Sequence, residues 1–598
     1  MIDRNEVPPA RALTREEPSQ PGAPVTTARF MRAPPYLRSP TSLKEMGGAR
    51  PFEHLQRALV GGPLIAKVTM LVVLTGVMRI ALRPAEVQHD VAMYLQAGEL
   101  LLRGQRPYLD FIDVNPPLIM YLSAIPAALA AALRTPVVPT ALLLVALAAA
   151  WSLATARRTL VATFEGAGSD TRIAEVAILA LACALFLSDA PERLDLPFPG
   201  NALADPRLSA IFGQREHLFM IGVLPFLALR FSRWEGGGLR LRSALVAGGL
   251  ASVVTCLKPQ LVIVLLAFEV GLLASKRRWS PFRAPEVLAF ALVVLGYAAH
   301  FAFLPAAVKT AWFGRWLPFV IHGYGAFNEG SYWDLVARCW PAGVALTVAF
   351  SLTLAGKPQG QRLIRAFALM AAAGAVLYVL QKKGWTYHAF PERAAVLVVL
   401  MTSLAGACSV GVSGDVGARV VLPFTRRHLG QAMGALVALA SLACVVCLLR
   451  IDTPKDVDRL RRRSQIMRTI DTFTKEGDAV LVATTSVWDP YPALTLQHRW
   501  PGSRYLWLFP IPMMQAVPDD GGVFENEFVR DLAEDIRERR PTLLLLQTGR
   551  CFGCKSTSVD AFFREHPPLA AALQDYSLRG SVRDGQELQV FVRTSSGR

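Results

Sequence analysis

Twelve apolar runs punctuate this chain, at 64–82, 117–133, 137–156, 172–188, 214–231, 241–257, 259–275, 286–307, 335–356, 362–380, 391–412 and 429–449. Most approach twenty residues, the helical length that matches the hydrocarbon thickness of a bilayer. Short polar connectors separate them, so the pattern predicts membrane-spanning helices. The run 117–133 departs from this. It is short, follows Pro116-Pro117 and carries Pro126 at its middle, as re-entrant or interfacial segments do. After residue 451 the pattern changes again. Residues 479–483 and 542–546 read as buried parallel strands, 525–539 has helical spacing with many charges, and 588–592 alternates toward a final strand. The first sixty residues are rich in Pro, Arg and Ser and hold no apolar core of a cleavable signal peptide. They read as a disordered cytoplasmic tail. The expected organisation is therefore a tail over 1–60, a transmembrane region over 61–451 and a small soluble α/β domain over 452–598.

Basic residues orient the spans. With the N-terminus inside and 117–133 not crossing, Arg157-Arg158, Arg230 to Arg242, Lys276 to Arg278, Lys357 to Arg365 and Arg419 to Arg427 all fall on the inner side. That satisfies the positive-inside rule. A full crossing by 117–133 reverses every later connector. The expectation is eleven spans, a cytoplasmic N-terminus and a C-terminal domain on the far side. The same choice places Asp90, Asp110, Asp113, the 189–217 connector, Lys258 and the 382–388 segment together on the outer face.

Composition agrees. The chain is 53% hydrophobic and 18% charged, below the ~25% charged residues usual in soluble proteins. Its net charge of +17 is explained by the inner connectors, and no basic motif with interleaved aromatics points to nucleic acid. Five of the eight cysteines (183, 256, 408, 444, 447) sit in apolar runs as small core residues. Only Cys551-Phe552-Gly553-Cys554 has a suggestive spacing. It lacks the two further ligands of a zinc site and suits a local disulfide if the domain is extracytoplasmic.

Polar chemistry concentrates just beyond the first run, in His89-Asp90-Val91-Ala92-Met93-Tyr94 and Arg106-Pro107-Tyr108-Leu109-Asp110-Phe111-Ile112-Asp113-Val114-Asn115-Pro116-Pro117-Leu118. After Asp90, the spacing of Val91, Tyr94, Leu95, Gly98 and Leu101-Leu102 predicts an amphipathic helix on the membrane surface. Asp90 is either a reactive carboxylate or a helix N-cap. Asp110 and Asp113 are either part of a site or turn formers beside proline.

These segments resemble the GT-C superfamily of integral-membrane glycosyltransferases. The matching positions are Asp90, Tyr94, Ala97, Leu101, Gly104, Pro107, Tyr108, Asp110 and Pro116-Pro117-Leu118. The resemblance covers roughly 64–450 in architecture and only short segments in motif. It implies a transferase of hexosyl or pentosyl groups that uses a polyprenyl-phosphate sugar, with the early acid, here Asp90, as catalytic base or metal-associated carboxylate. A setting in the bacterial inner membrane, inversion at the sugar carbon, and a glycan, lipid or protein acceptor in the cell envelope are implied in the same way. Family members often carry acids after the third span. This chain offers Glu216 rather than an Asp pair, which leaves a divalent metal open; no other cofactor is called for.

Further polar groups fit such a donor. In Gly213-Gln214-Arg215-Glu216-His217-Leu218, four polar side chains enter a helix, which is expensive unless they face a cavity. Arg215 suits bidentate contact with a lipid phosphate, with Glu216 beside it and His217 as a donor; the alternative is snorkelling at an interface. Lys258 suits a point-charge contact with phosphate or a plain interfacial anchor. Lys383, Trp385, Tyr387 and His388 suit phosphate and sugar contacts or an interface belt. Trp488, Tyr491, Trp500, Tyr505 and Trp507 are expected mainly to fill the core of the C-terminal domain. The runner-up function is a lipid-linked glycan transporter, polymerase or ligase; a scaffold whose outer domain recruits partners is a third.

Overall fold

A computed structural model describes residues 62–82, 87–187, 211–238, 240–276, 280–352, 358–410, 464–517, 522–549, 551–555, 558–584 and 586–594. The expected tail, the 429–449 run and its flanking basic residues lie outside these ranges.

Each of the other apolar runs forms a helix. They are α1 (Gly62–Leu82), α3 (Leu118–Leu133), α4 (Val137–Gly166), α5 (Arg172–Leu187), α6 (Arg215–Glu235), α7 (Leu241–Cys256), α8 (Val262–Lys276), α9 (Pro285–Phe303), α10 (Trp340–Leu352), α11 (Pro358–Gln381) and α12 (Phe390–Val410), with α2 (His89–Leu102) in the first polar loop. Among the described residues, five stretches are long and apolar enough to cross a membrane: Leu64–Ala81, Val137–Gly166, Pro285–Phe303, Gly360–Gln381 and Thr386–Gly406. Shorter apolar helices include Leu118–Leu133 and Leu241–Cys256. On α9, Leu288, Leu292 and Leu295 form an exposed stripe at helical spacing. Such a stripe is stable against lipid and costly against water.

The C-terminal region is a five-stranded mixed sheet of order β2-β1-β3-β5-β4. Here β1 is Ala479–Ala483, β2 Trp500–Pro501, β3 Leu543–Thr548, β4 Tyr576–Asp584 and β5 Gln586–Arg593. The two expected buried strands pair in parallel, Val480 against Leu543 through Ala483 against Leu546. Helix α13 (Val523–Arg539) accounts for the charged helical segment, and β5 closes antiparallel on β3.

This sheet region is tied to the first polar loop. Gln96 donates to the Arg499 carbonyl at 2.6 Å, and Thr495 donates to the Ala92 carbonyl at 2.9 Å. The guanidinium of Arg103 lies 3.5 Å over the Trp500 ring. The backbone N–H of Ile112 donates to Arg504 at 2.7 Å. These contacts explain one difference from expectation. Helix α2 is not a half-exposed amphipathic helix, because every residue from His89 to Gly98 is buried. The sheet region covers the face that the periodicity assigned to water.

Candidate active site

The first polar loop is locked before it contributes any chemistry. Tyr108 adopts φ +67, a region that costs a bulky side chain energy and persists only where surroundings impose it. Its N–H donates to Phe111 O (2.7 Å), its hydroxyl to Asn115 O (2.7 Å), and its ring stacks on Trp312 at 4.3 Å. The Asn115 end of the loop is thereby fixed. Asn115 then becomes a hub. Its amide nitrogen donates to Asp113 Oδ2 (2.7 Å) and to the Tyr94 hydroxyl (3.1 Å), and its Oδ1 accepts from Arg215.

Asp90 occupies the first turn of α2, one residue into the helix. Gln88, not Asp90, is the N-cap, its side chain accepting from the Val91 N–H. The carboxylate of Asp90 accepts from Gln214 Nε2 at 2.9 Å, and His89 Nε2 stands 3.6 Å from it. Gln214 is the N-cap position of α6, so the opening of α6 delivers both Gln214 and Arg215 to this loop.

His89, Asp90, Tyr94, Asp113, Asn115 and Arg215 border a partly open cavity of about 290 Å³. The first loop supplies His89, Asp90, Met93, Tyr94, Asp113, Val114 and Asn115, and α6 supplies Arg215. Tyr324, Glu329 and Arg338 come from the segment before α10, and Gly384, Trp385, Thr386 and Tyr387 from the segment before α12. Val487, Trp488, Trp507 and Phe552 come from the sheet region. Three carboxyl groups (Asp90, Asp113, Glu329), two guanidiniums (Arg215, Arg338) and several aromatic rings thus share one chamber. Burial pushes the Asp113 carboxyl above its ordinary range, against the opposing hydrogen bonds from Asn115. Burial likewise raises the Tyr94 hydroxyl, so it stays protonated and able to donate.

The other residues singled out from sequence fall outside the lining. Glu216 is fully buried and accepts from Lys258 Nζ at 2.5 Å, with His388 Nε2 at 3.7 Å. The three form a buried polar cluster, and Glu216 is next in sequence to Arg215. His217 turns away, its Nε2 lying 3.0 Å from the Leu185 carbonyl oxygen while the ring packs on Phe212 and Phe390. Asp110 closes a turn, accepting from the Arg106 N–H (2.8 Å) and Nε (3.0 Å), while its carbonyl accepts from Arg539. Lys383 donates to Tyr324 O (2.5 Å) and Asn328 Oδ1 (2.9 Å), bracing the Tyr324 wall.

Of the aromatics assigned from sequence to the domain core, Trp507 is buried in it and Trp488 packs against it, and both also border the cavity, whereas Tyr491 and Tyr505 are fully buried. The wall at Trp488 is held by a polar network at the carboxyl end of β1. Thr484 donates to Asp489 Oδ2 (2.8 Å), Gln547 Oε1 accepts from the Thr485 N–H (3.2 Å), and Ser486 also bonds Asp489. Ligands in α/β sheets bind beyond the carboxyl ends of strands, a signal that was available in the strand prediction.

Among the described residues, no three of His, Cys, Asp and Glu are placed to hold a metal ion. Glu216 is engaged by Lys258 and Asp113 by Asn115. Among the described residues the donor set does not fit a metal cage.

No family model matches the chain, and no curated protein matches it. Among solved structures, the crystal structure of ArnT from Cupriavidus metallidurans bound to undecaprenyl phosphate is similar over 88% of this chain and 98% of that one, at 14% identity and a TM-score of 0.48.

Proposed function

We propose that this chain is a membrane glycosyltransferase of the GT-C type. It moves a sugar from a polyprenyl-phosphate donor to a cell-envelope acceptor on the outer face of a bacterial inner membrane. The topology that goes with this is eleven spans, a cytoplasmic N-terminus and a periplasmic C-terminal domain. The observation that carries the proposal is the meeting of Asp90 and Arg215 on one aromatic-walled cavity.

The chemistry follows from those two groups. Arg215 presents a permanent positive charge, with planar donors suited to a phosphate. Asp90 accepts the proton of an acceptor hydroxyl as that oxygen attacks the anomeric carbon. The new carbon–oxygen bond forms as the bond from that carbon to the phosphate oxygen breaks, and the polyprenyl phosphate departs with the electron pair. Phosphate is a good leaving group, so a single base suffices. Tyr94 and Asn115 hold Arg215 and the loop in place, and the rings of Trp385, Tyr387, Trp488 and Trp507 offer faces to a sugar. Glu216, Lys258 and His388 support the Arg215 end of the chamber from behind its surface.

The test is sugar transfer by the purified chain from a synthetic polyprenyl-phosphate donor. Asp90→Asn keeps the hydrogen-bonding shape and removes the base, so turnover is expected to fall by about 10²–10⁴-fold with folding intact. Retained turnover removes Asp90 from the mechanism. Movement of a lipid-linked glycan across vesicles without bond formation reassigns the chain as a transporter.

A further inference from the structure

Phe552 borders two spaces at once. On one side is the chamber with Asp90; on the other is an open depression of about 670 Å³ rimmed by Asn328, Lys555 and Gln586. Among the described residues it is the one side chain that lines both.

The surroundings of Phe552 are built to hold it there. A disulfide joins Cys551 to Cys554 across it. Gly553 has φ +77, and a Cβ at that position would sit 3.0 Å from the Phe327 ring and 3.2 Å from Pro512. Glycine makes this turn without strain, and any side chain there would press directly on its neighbours. The Phe552 ring stacks on Phe327 (centroids 5.5 Å, planes at 27°) and meets Trp488 edge-on at 4.8 Å. Phe552 is half-buried. With its backbone clamped, the freedom left to it is rotation of its own side chain, an event of low barrier for a ring that is not fully enclosed.

The two substrates of the proposed reaction need different routes. A lipid-linked donor reaches the chamber from the bilayer. A water-soluble acceptor cannot, because polar groups pay a large desolvation penalty in hydrocarbon. We infer that the outer depression is the acceptor site and that Phe552 is the swinging partition between it and Asp90. The acceptor class is a hydroxyl-rich molecule, since the rim offers the amides of Asn328 and Gln586. Asn328 Oδ1 is committed to Lys383 at 2.9 Å, which assigns its NH₂ as the donor to such a ligand. The inference rests on the transferase reading for the identity of the ligand and on geometry alone for the route.

The experiment reads the route without using activity. The full-length chain carrying Met93→Cys, a chamber-lining position, is treated in detergent with a charged methanethiosulfonate. Labelling is followed by the mass of the peptide containing residue 93. Phe552→Ala is expected to accelerate labelling about tenfold, as when a route open in a minor fraction of molecules becomes permanently open. Adding Asn328→Trp, which fills the depression, is expected to restore the slow rate. The pair Cys551→Ser with Cys554→Ser, which frees the clamp and leaves the ring, is expected to accelerate labelling in the same direction and serves if Phe552→Ala does not fold. Rates unchanged by opening the partition, or insensitive to Asn328→Trp, overturn the route. Accelerated labelling in a chain that transfers no sugar keeps the route and overturns its assignment to an acceptor.

Discussion

Gln214 and Asp90 are 124 positions apart in sequence, and the amide of the first donates to the carboxylate of the second at 2.9 Å. Gln214 has no other way to reach this loop than through the start of α6, so the bond fixes one helix opening against another. Replacing it with Gln214→Leu removes the donor and keeps the bulk. A small displacement of a reacting group is expected to lower kcat by about ten- to a hundredfold while the donor KM changes little. Steady-state kinetics on the purified chain measure it, and an unchanged kcat rejects a positioning role.

The Glu216–Lys258 pair is a second case of coupling across helices. Both side chains are buried and joined at 2.5 Å. Lys258→Met leaves Glu216 as a buried charge without its ion-pair partner, and breaking such a pair is expected to cost about 3–5 kcal/mol. Combining it with Glu216→Gln removes the stranded charge and is expected to recover most of that loss. Thermal unfolding of the single and double variants decides. If the double variant is as unstable as Lys258→Met, the pair is not what holds this cluster.

Lys383 gives stability a pH dependence. Burial lowers its pKa to about 8, with Glu329 opposing. An unfolded lysine titrates near about 10.4. Between those values the unfolded chain binds more protons, so stability rises with pH from about 8 to about 10.4, and below about 8 the full burden of the buried charge is present. Lys383→Met carries no such burden. The unfolding midpoint of the unaltered chain is therefore expected to gain on that of Lys383→Met as pH rises through this window. A constant difference contradicts it.

Helices α2 and α3 touch at Gly98, where a Cβ would stand 2.5 Å from the Ser123 carbonyl carbon and 2.7 Å from the Ala124 nitrogen. Those are backbone atoms, so a helix must shift. Gly98→Ala is expected to cost about 1–3 kcal/mol. Because Asp90 rides on the same helix, kcat is expected to fall as well. Differential scanning fluorimetry and turnover on one preparation test both, and a neutral substitution means the two helices are freer than their packing implies.

Much of this was legible in the chain, for physical reasons that differ from element to element. Helices α1 and α3 through α12 announce themselves by length and apolarity, and β1 and β3 by unbroken apolar runs. Asp90, Arg215, Trp385 and Tyr387 drew notice because polar or aromatic groups at a membrane boundary are conspicuous, and all four border the cavity. Asn115 was visible only as a neighbour of Asp113; nothing local says that it receives Arg215 from 100 positions away. Glu329 lies in a connector with no marked pattern, and Arg338 lies inside the apolar run 335–356, where nothing local singles it out. Asp110 shows the opposite case, since its contacts to Arg106 are those of a turn. Trp488 and Trp507 were placed by hydrophobicity alone, and hydrophobicity does not separate a core wall from a cavity wall.

Val487, Trp488, Trp507 and Phe552 belong to the last quarter of the chain, yet they wall a chamber whose Asp90, Asp113 and Arg215 are made in the first half. Biosynthesis therefore builds the reactive end of this protein long before its roof. A nascent chain stalled at residue 451 would own Asp90 and Arg215 without the wall that Val487, Trp488, Trp507 and Phe552 supply.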